Sequence, residues 1–185
     1  MKTKMMVAAA FALAVLATGC KKHVDTGAMS VTGTATSNSR MSDSYDKVLV
    51  EVLSVQAHYN DENKGSGGWV NLASQTGVYD LMQLRNDVTA MLATQGELAP
   101  GKISQLRLIL GSHDSIVVAG VTHPIIVASG MQSGIKINVD TSIEPKKRTA
   151  IVLDFDIDKS VVIEGSGTYS LKPVIKVKSV TQTDI

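Results

Sequence analysis

Thr149-Ala150-Ile151-Val152-Leu153-Asp154-Phe155-Asp156-Ile157-Asp158 puts Ile151, Leu153, Phe155 and Ile157 on one side of an extended chain and Val152, Asp154, Asp156 and Asp158 on the other. A period of two sorts the residues this cleanly because successive side chains of a strand point to opposite faces. The stretch is read as a strand with one face in a core and the other in a polar setting. Outward from it the alternation returns at residues 102–110, where Leu106, Leu108 and Leu110 oppose Gln105, Arg107 and Ile109. It returns again at 134–143, where Ile135, Ile137 and Val139 oppose Lys136, Asn138 and Asp140. Residues 47–59 carry apolar groups on both faces, as a covered central strand does. Shorter runs at 69–72, 116–118, 122–127, 160–163 and 169–180 are separated by Gly- and Ser-containing turns. Turn signals at roughly 8 to 12 residue intervals predict an all-β, antiparallel β-sandwich of the immunoglobulin- or transthyretin-like Greek-key kind. It is expected to span 46–181, with a tail at 182–185.

One segment departs from this period. Leu81, Leu84, Val88, Met91 and Leu92 recur at steps of three and four, which predicts one short amphipathic helix ending before Gly96 and lying on a sheet edge or end. Lys172, Lys176 and Lys178 speckle the last strand and suit a solvated edge.

The N-terminus reads differently. Met1-Lys2-Thr3-Lys4 is basic and residues 5–17 are apolar, the two leading regions of a secretory signal. The run is short of the roughly 20 residues a membrane-spanning helix needs. Leu16-Ala17-Thr18-Gly19-Cys20 resembles the lipobox of bacterial lipoproteins, with the leucine one place further back than usual, and Cys20 is the single cysteine. The resemblance implies a signal peptide at 1–19 and a diacylglyceryl group, usually with an amide-linked acyl chain, on Cys20. One chain alone binds a membrane only marginally, and a diacylglyceryl group with an amide-linked chain meets the need for two or more. The alternative is an ordinary cleaved signal near Ala17 or Gly19. Acylation predicts a body anchored in the bacterial cell envelope, and Lys21 in place of an acidic residue favours the outer membrane over the inner. Residues 20–45, rich in Ser, Thr, Gly and Asn, read as a tether, within which 28–34 is either a first strand or more tether.

Removing Lys2 and Lys4 with the leader takes the 18 basic residues to 16 against 17 acidic ones. That balance offers no attraction to nucleic acid. A lone cysteine allows neither a disulfide framework nor a thiolate metal cluster.

Asp154, Asp156 and Asp158 raise calcium as a ligand, since calcium takes six to eight oxygens, or else ion pairs with Arg107, Lys136 or Lys176 on neighbouring strands. Trp69 is read as a stacking platform for a sugar or as a partly buried core aromatic. His113, in Ser112-His113-Asp114, is a weak ligand-binding candidate. Three consecutive residues do not make a catalytic triad, and no Gly-x-Ser-x-Gly elbow or phosphate-binding glycine loop is present. No other cofactor is implied. These features point to a non-catalytic binding or structural module for a glycan or envelope protein. A surface-fibre subunit, for which Arg40 would be a processing site, is the alternative, and a glycan-active enzyme a fainter one.

Trp69-Val70-Asn71-Leu72, Leu106-Arg107-Leu108-Ile109-Leu110, Ser129-Gly130-Met131-Gln132-Ser133-Gly134-Ile135-Lys136, Val152-Leu153-Asp154-Phe155-Asp156 and Leu171-Lys172-Pro173-Val174-Ile175 together resemble the bacterial family catalogued as domain of unknown function 4382. The resemblance implies a β-rich lipoprotein or envelope domain with no established activity.

Overall fold

A computed structural model describes residues 25–38, 44–62, 65–127, 133–165 and 167–185. The leader, Cys20, Arg40 and Gly130 lie outside the described residues. The body is built on β2 (Tyr45–Asp61), the longest strand at 17 residues. Val48, Val50 and Val52 are buried on one face, and Val55, Ala57 and Tyr59 continue that face. The parity changes between the two sets because the ladder shifts by one residue between Val52 and Ser54. Such a bulge resets which side chains face inward. Leu53, the residue it adds, is 46% exposed.

Around β2 lie β3 (Ser66–Asn71), β5 (Gly77–Asp80), β7 (Gly101–Leu110), β8 (Ser115–Val118), β9 (Val121–Val127), β10 (Ile135–Ile143), β12 (Val161–Ile163) and β13 (Tyr169–Leu171), which together form the larger sheet. The smaller sheet runs in the order β14 (Ile175–Asp184), β11 (Lys147–Asp156), β1 (Gly27–Thr36), β6 (Ala90–Leu98), β4 (Ala73–Ser74). The two sheets enclose one core that includes Val31, Leu92, Leu106, Leu108, Ile151, Leu153 and Phe155. Burial of each such side chain stabilises the fold by about 1.5–3 kcal/mol.

Among the described residues the all-β sandwich with one short helix holds, and four details are corrected or decided. First, the sheets are mixed: β1 pairs parallel with β11 from Ala28↔Arg148 to Thr36↔Asp156, and β13 pairs parallel with β9. Second, residues 28–34 belong to a strand, and it lies in the middle of the smaller sheet with Met29 and Val31 in the core. Third, the helix predicted from Leu81 shrinks to one 3-10 turn, Leu81–Leu84, with β6 taking Met91 and Leu92. Asn86 and Asp87 have φ of +56° and +65°, which a right-handed helix does not accommodate. Leu81, Leu84 and Leu92 are buried, while Val88 and Met91 are 51% and 38% exposed, so the apparent stripe is three core residues and two solvated ones. The α-helical turn is α1 (Ile157–Ser160), which ends the strand predicted over 149–158 two residues early. Asp156 caps it by accepting from the Lys159 N–H at 3.2 Å. Fourth, the tail is strand as far as Asp184.

A fault line crosses the larger sheet at one level. Val52 pairs with Gly77 of β5 and Leu110 of β7 on opposite edges, and Leu49 with Asp80 of β5 and Ser115 of β8, so β7 and β8 follow one another along the same edge of β2. Residues 111–114 interrupt that row beside Glu51. On the other edge residues 72–76 interrupt the β3–β5 row, and β4 leaves to pair with β6 in the smaller sheet. Side chains replace the missing ladder bonds: Asp114 Oδ1 accepts from the Glu51 N–H at 2.7 Å, and Ser74 Oγ from the Val55 N–H at 2.8 Å. Buried backbone donors need such partners, and here both edges of β2 find them in side chains.

Candidate functional site

The solvent-facing side of the larger sheet gathers polar side chains around Trp69. Ala57 and Val70 turn inward, so the intervening His58, Gln56, Trp69 and Asn71 turn outward. His58 lies opposite Trp69, their rings edge to face with centroids 5.3 Å apart. On the other side of β2, Arg107 of β7 lies opposite Gln56 and brings its guanidinium carbon to 3.9 Å from the Trp69 ring centroid. A cation over an indole face is attracted by the ring quadrupole, worth about 0.5–1 kcal/mol at an exposed site. Arg107 donates from one terminal nitrogen to Gln56 Oε1 at 3.3 Å, and Gln56 Nε2 donates to Asn71 Oδ1 at 2.8 Å. Arg107 Nε is buried and has no hydrogen-bond partner among the described residues. His58 Nδ1 is 2.9 Å from Ser104 Oγ, and Gln105 Nε2 donates to Asn138 Oδ1 at 2.8 Å.

Gly134 makes this arrangement possible. Its φ is +89°, and a Cβ there would lie 2.4 Å from Ile109 Cδ1 and 2.7 Å from Arg107 Cγ. Trp69, Arg107 and Gly134, from three separate stretches of the chain, thus share one surface. The family model of a domain of unknown function (DUF4382) matches residues 34–173. The chain belongs to this family. No curated protein matches it. The DUF4382 span begins inside β1 and stops short of β14, so the first seven residues of β1 and all of β14 complete the smaller sheet from outside the matched residues.

At the fault line the surface becomes apolar. Leu53, Ile109, Leu110, Gly111, Ser112 and Ile125–Val127 line a groove of about 560 Å³. Ile126, at 65% exposure, is more open than Leu53 at 46%. A clasp stands at the neighbouring break. Glu51 Oε2 accepts from the backbone N–H groups of Ser112 and His113 at 3.0 and 3.1 Å and lies 2.8 Å from His113 Nδ1. These contacts, led by the imidazole, hold the Glu51 carboxyl below its ordinary range. Asp114 is buried, its Oδ2 unpartnered among the described residues. Burial pushes its carboxyl up, the Glu51 N–H opposes the shift, and the Glu51 charge adds to it.

That asymmetry gives a signed prediction. A raised carboxyl in the fold adds stability that is present below its ordinary value near 3.8 and is lost as pH rises through the folded value. Asp114→Asn keeps the oxygen that Glu51 N–H needs and removes the buried charge. Its melting temperature relative to the native protein is therefore expected to climb as pH rises above the ordinary carboxyl value near 3.8 and to level off once the native Asp114 has ionised; a flat or falling difference would contradict the assignment.

Of the residues singled out in the sequence, Trp69 stands outside the core cluster, half-buried on the sheet surface. His113 is exposed, its side chain at 78%, and serves Glu51. The three aspartates do not line one strand: Asp154 is buried in β11, Asp156 ends that strand two residues on and caps α1, and Asp158 lies in α1. Asp154 accepts from Thr36 Oγ1 at 2.7 Å and lies 3.3 Å from Lys176 Nζ, one of the ion pairs read from the sequence. Asp158 accepts from the Asn38 N–H at 2.6 Å. Among the described residues no group of three His, Cys, Asp or Glu is placed to hold a metal ion. Arg107, read as an ion-pair partner, is instead the cation on Trp69. His58, Glu51 and Asp114 were not singled out for the site, although the parity of β2 puts His58 and Gln56 on its polar side.

Proposed function

We propose that the chain is an envelope lipoprotein, acylated at Cys20 and held in the outer membrane, whose β-sandwich is a non-catalytic module that binds a glycan. The observation that carries the binding reading is the Trp69–Arg107 pair set among Gln56, His58, Asn71 and Gln105 on one open sheet face. Sugar rings present apolar C–H faces to an indole ring face and hydroxyls to amides and imidazoles, so this mixture of groups suits them. The groups of a hydrolytic triad are split: Glu51 supports His113, whereas the hydroxyl of Ser104 meets His58. Glu51 and His58 are seven residues apart on one strand, roughly 23 Å, which supports a binding role over hydrolysis.

Two experiments test the two halves. Intact mass of the native protein should show added acyl mass, and Cys20→Ser should move it from the membrane to the soluble fraction; an unmodified native protein ends the lipoprotein reading. A screen of the body against glycans and cell-wall fragments should find a ligand whose affinity falls at least tenfold with Trp69→Ala. Equal binding by that variant removes the site from consideration.

The central placement of β1 favours a second reading, a fibre subunit that exchanges strands between copies. Such a subunit forms heat-resistant ladders on a gel, whereas a binding module stays monomeric once delipidated.

A further inference from the structure

We infer that the end of the sandwich at Gly27 rests on the bilayer and that the end carrying Tyr45 and α1 points away from it. The inference rests on the proposed acylation of Cys20. Six residues, 21–26, separate that cysteine from β1. A chain spans at most about 3.6 Å per residue, so the seven steps from Cys20 to Gly27 cover no more than about 25 Å. β1 itself, ten residues long, rises roughly 30 Å to Thr36. An inverted body would need its anchor to run the whole length of β1 along the outside, further than these residues reach.

The residues at the near end follow from the register. Gly27 pairs with Leu98 and packs against Ile143 and Glu144. Lys146 N–H donates to Thr26 O at 2.9 Å, and Ile185 N–H to Lys146 O at 3.0 Å. In the larger sheet Gly101 pairs with both Ile143 and Asp61, so the end of β2 joins the same surface. The opposite end holds Thr36, Asp156, Tyr45 and the turn at Ala119-Gly120. The bilayer surface is thus the partner of the turn at residues 144–147, the turn at Ala99-Pro100 and the C-terminal Ile185.

The orientation also places the binding face. His58, opposite Trp69, is three residues from Asp61, so the aromatic surface stands about 10 Å above the near end. Any ligand must be reached close to the membrane, beside the body rather than beyond it.

The test uses the acylated full chain in vesicles of phosphatidylethanolamine and phosphatidylglycerol containing a headgroup nitroxide. Acylated Cys20 does not react with maleimides, so Lys146→Cys, Gly120→Cys and Gln105→Cys each provide one site for a fluorophore. Quenching should be strong at position 146, weaker at 105 and near background at 120. Inserting twenty Gly and Ser residues after His23 should abolish the contrast. Equal quenching at 120 and 146, quenching at 105 equal to that at 146 as in a body lying flat, or a contrast that survives the insertion overturns the orientation. Failure of the anchor itself looks different: Cys20 then takes the maleimide and the protein stays out of the vesicles.

Discussion

Val31→Asp should lower the melting temperature of the body by more than about 10 °C or abolish its folding transition altogether. Val31 is fully buried between Ile151 of β11 and Ala93 of β6, both also fully buried. A carboxylate placed there meets no donor, and burying an unpaired charge belongs to the mechanisms that exceed about 4 kcal/mol. A domain of this size holds roughly 5–15 kcal/mol in all, and each kcal/mol moves the melting temperature by about 2–4 °C. The contrast is with Asp25→Ala, two residues before β1, where the Lys146 ion pair at 3.3 Å is exposed and its loss should stay within about 1 kcal/mol. If 27–36 served only as tether, thermal denaturation would find the two variants alike.

The reason this strand was ambiguous in the sequence is physical. Gly27-Ala28-Met29-Ser30-Val31-Thr32-Gly33-Thr34-Ala35-Thr36 alternates, but beyond Met29 and Val31 its inward residues, Gly33 and Ala35, are small, and the composition is that of a linker. Small residues are what the position demands. Gly33 sits where a Cβ would lie 3.1 Å from Leu92 Cδ1 and 3.4 Å from Phe155 Cε2, so the bulk that fills the core comes from the neighbouring strands. By contrast the strands at β7, β10 and β11 carry their own bulk and their period of two was legible directly. The 81–92 segment misled for the opposite reason. Leu81, Leu84 and Leu92 are all buried, at spacings that fit a helix, although a turn and a strand deliver them. Spacing alone does not separate these cases; Asn86-Asp87, able to take positive φ, was the available signal.

The surface was less legible than the core, because its members come from strands that meet only through register. Nothing local ties Arg107 to Trp69, 38 positions apart in the chain. What joins them is β2, which pairs with β3 on one edge and β7 on the other, so that Gln56 faces both Asn71 and Arg107. The bulge at Leu53 then matters twice. It keeps both halves of β2 facing the core, and it coincides with the breaks at 72–76 and 111–114, where the groove and the Glu51 clasp lie.

Gly134→Val should uncouple that surface while leaving the core intact. At φ +89° a β-branched residue is an outlier that costs about 1–3 kcal/mol. Its Cβ would also overlap Ile109 Cδ1, Arg107 Cγ and Arg107 Cδ at 2.4, 2.7 and 2.9 Å. These are side-chain atoms, so they give way before the backbone does, and the guanidinium leaves the Trp69 face. Trp69 is the protein's one tryptophan, which makes its emission a clean reporter of that departure. The variant is expected to lose about 2–4 kcal/mol by denaturant titration, to shift the Trp69 emission as Arg107→Ala does, and to lose whatever ligand Trp69→Ala loses. A double-mutant cycle separates strain from collision: in the Arg107→Ala background the backbone penalty stays and the overlap with Arg107 goes, so Gly134→Val should cost measurably less there. Equal costs in both backgrounds would mean that Gly134 serves only its own backbone and that the Arg107 position on the indole is set elsewhere.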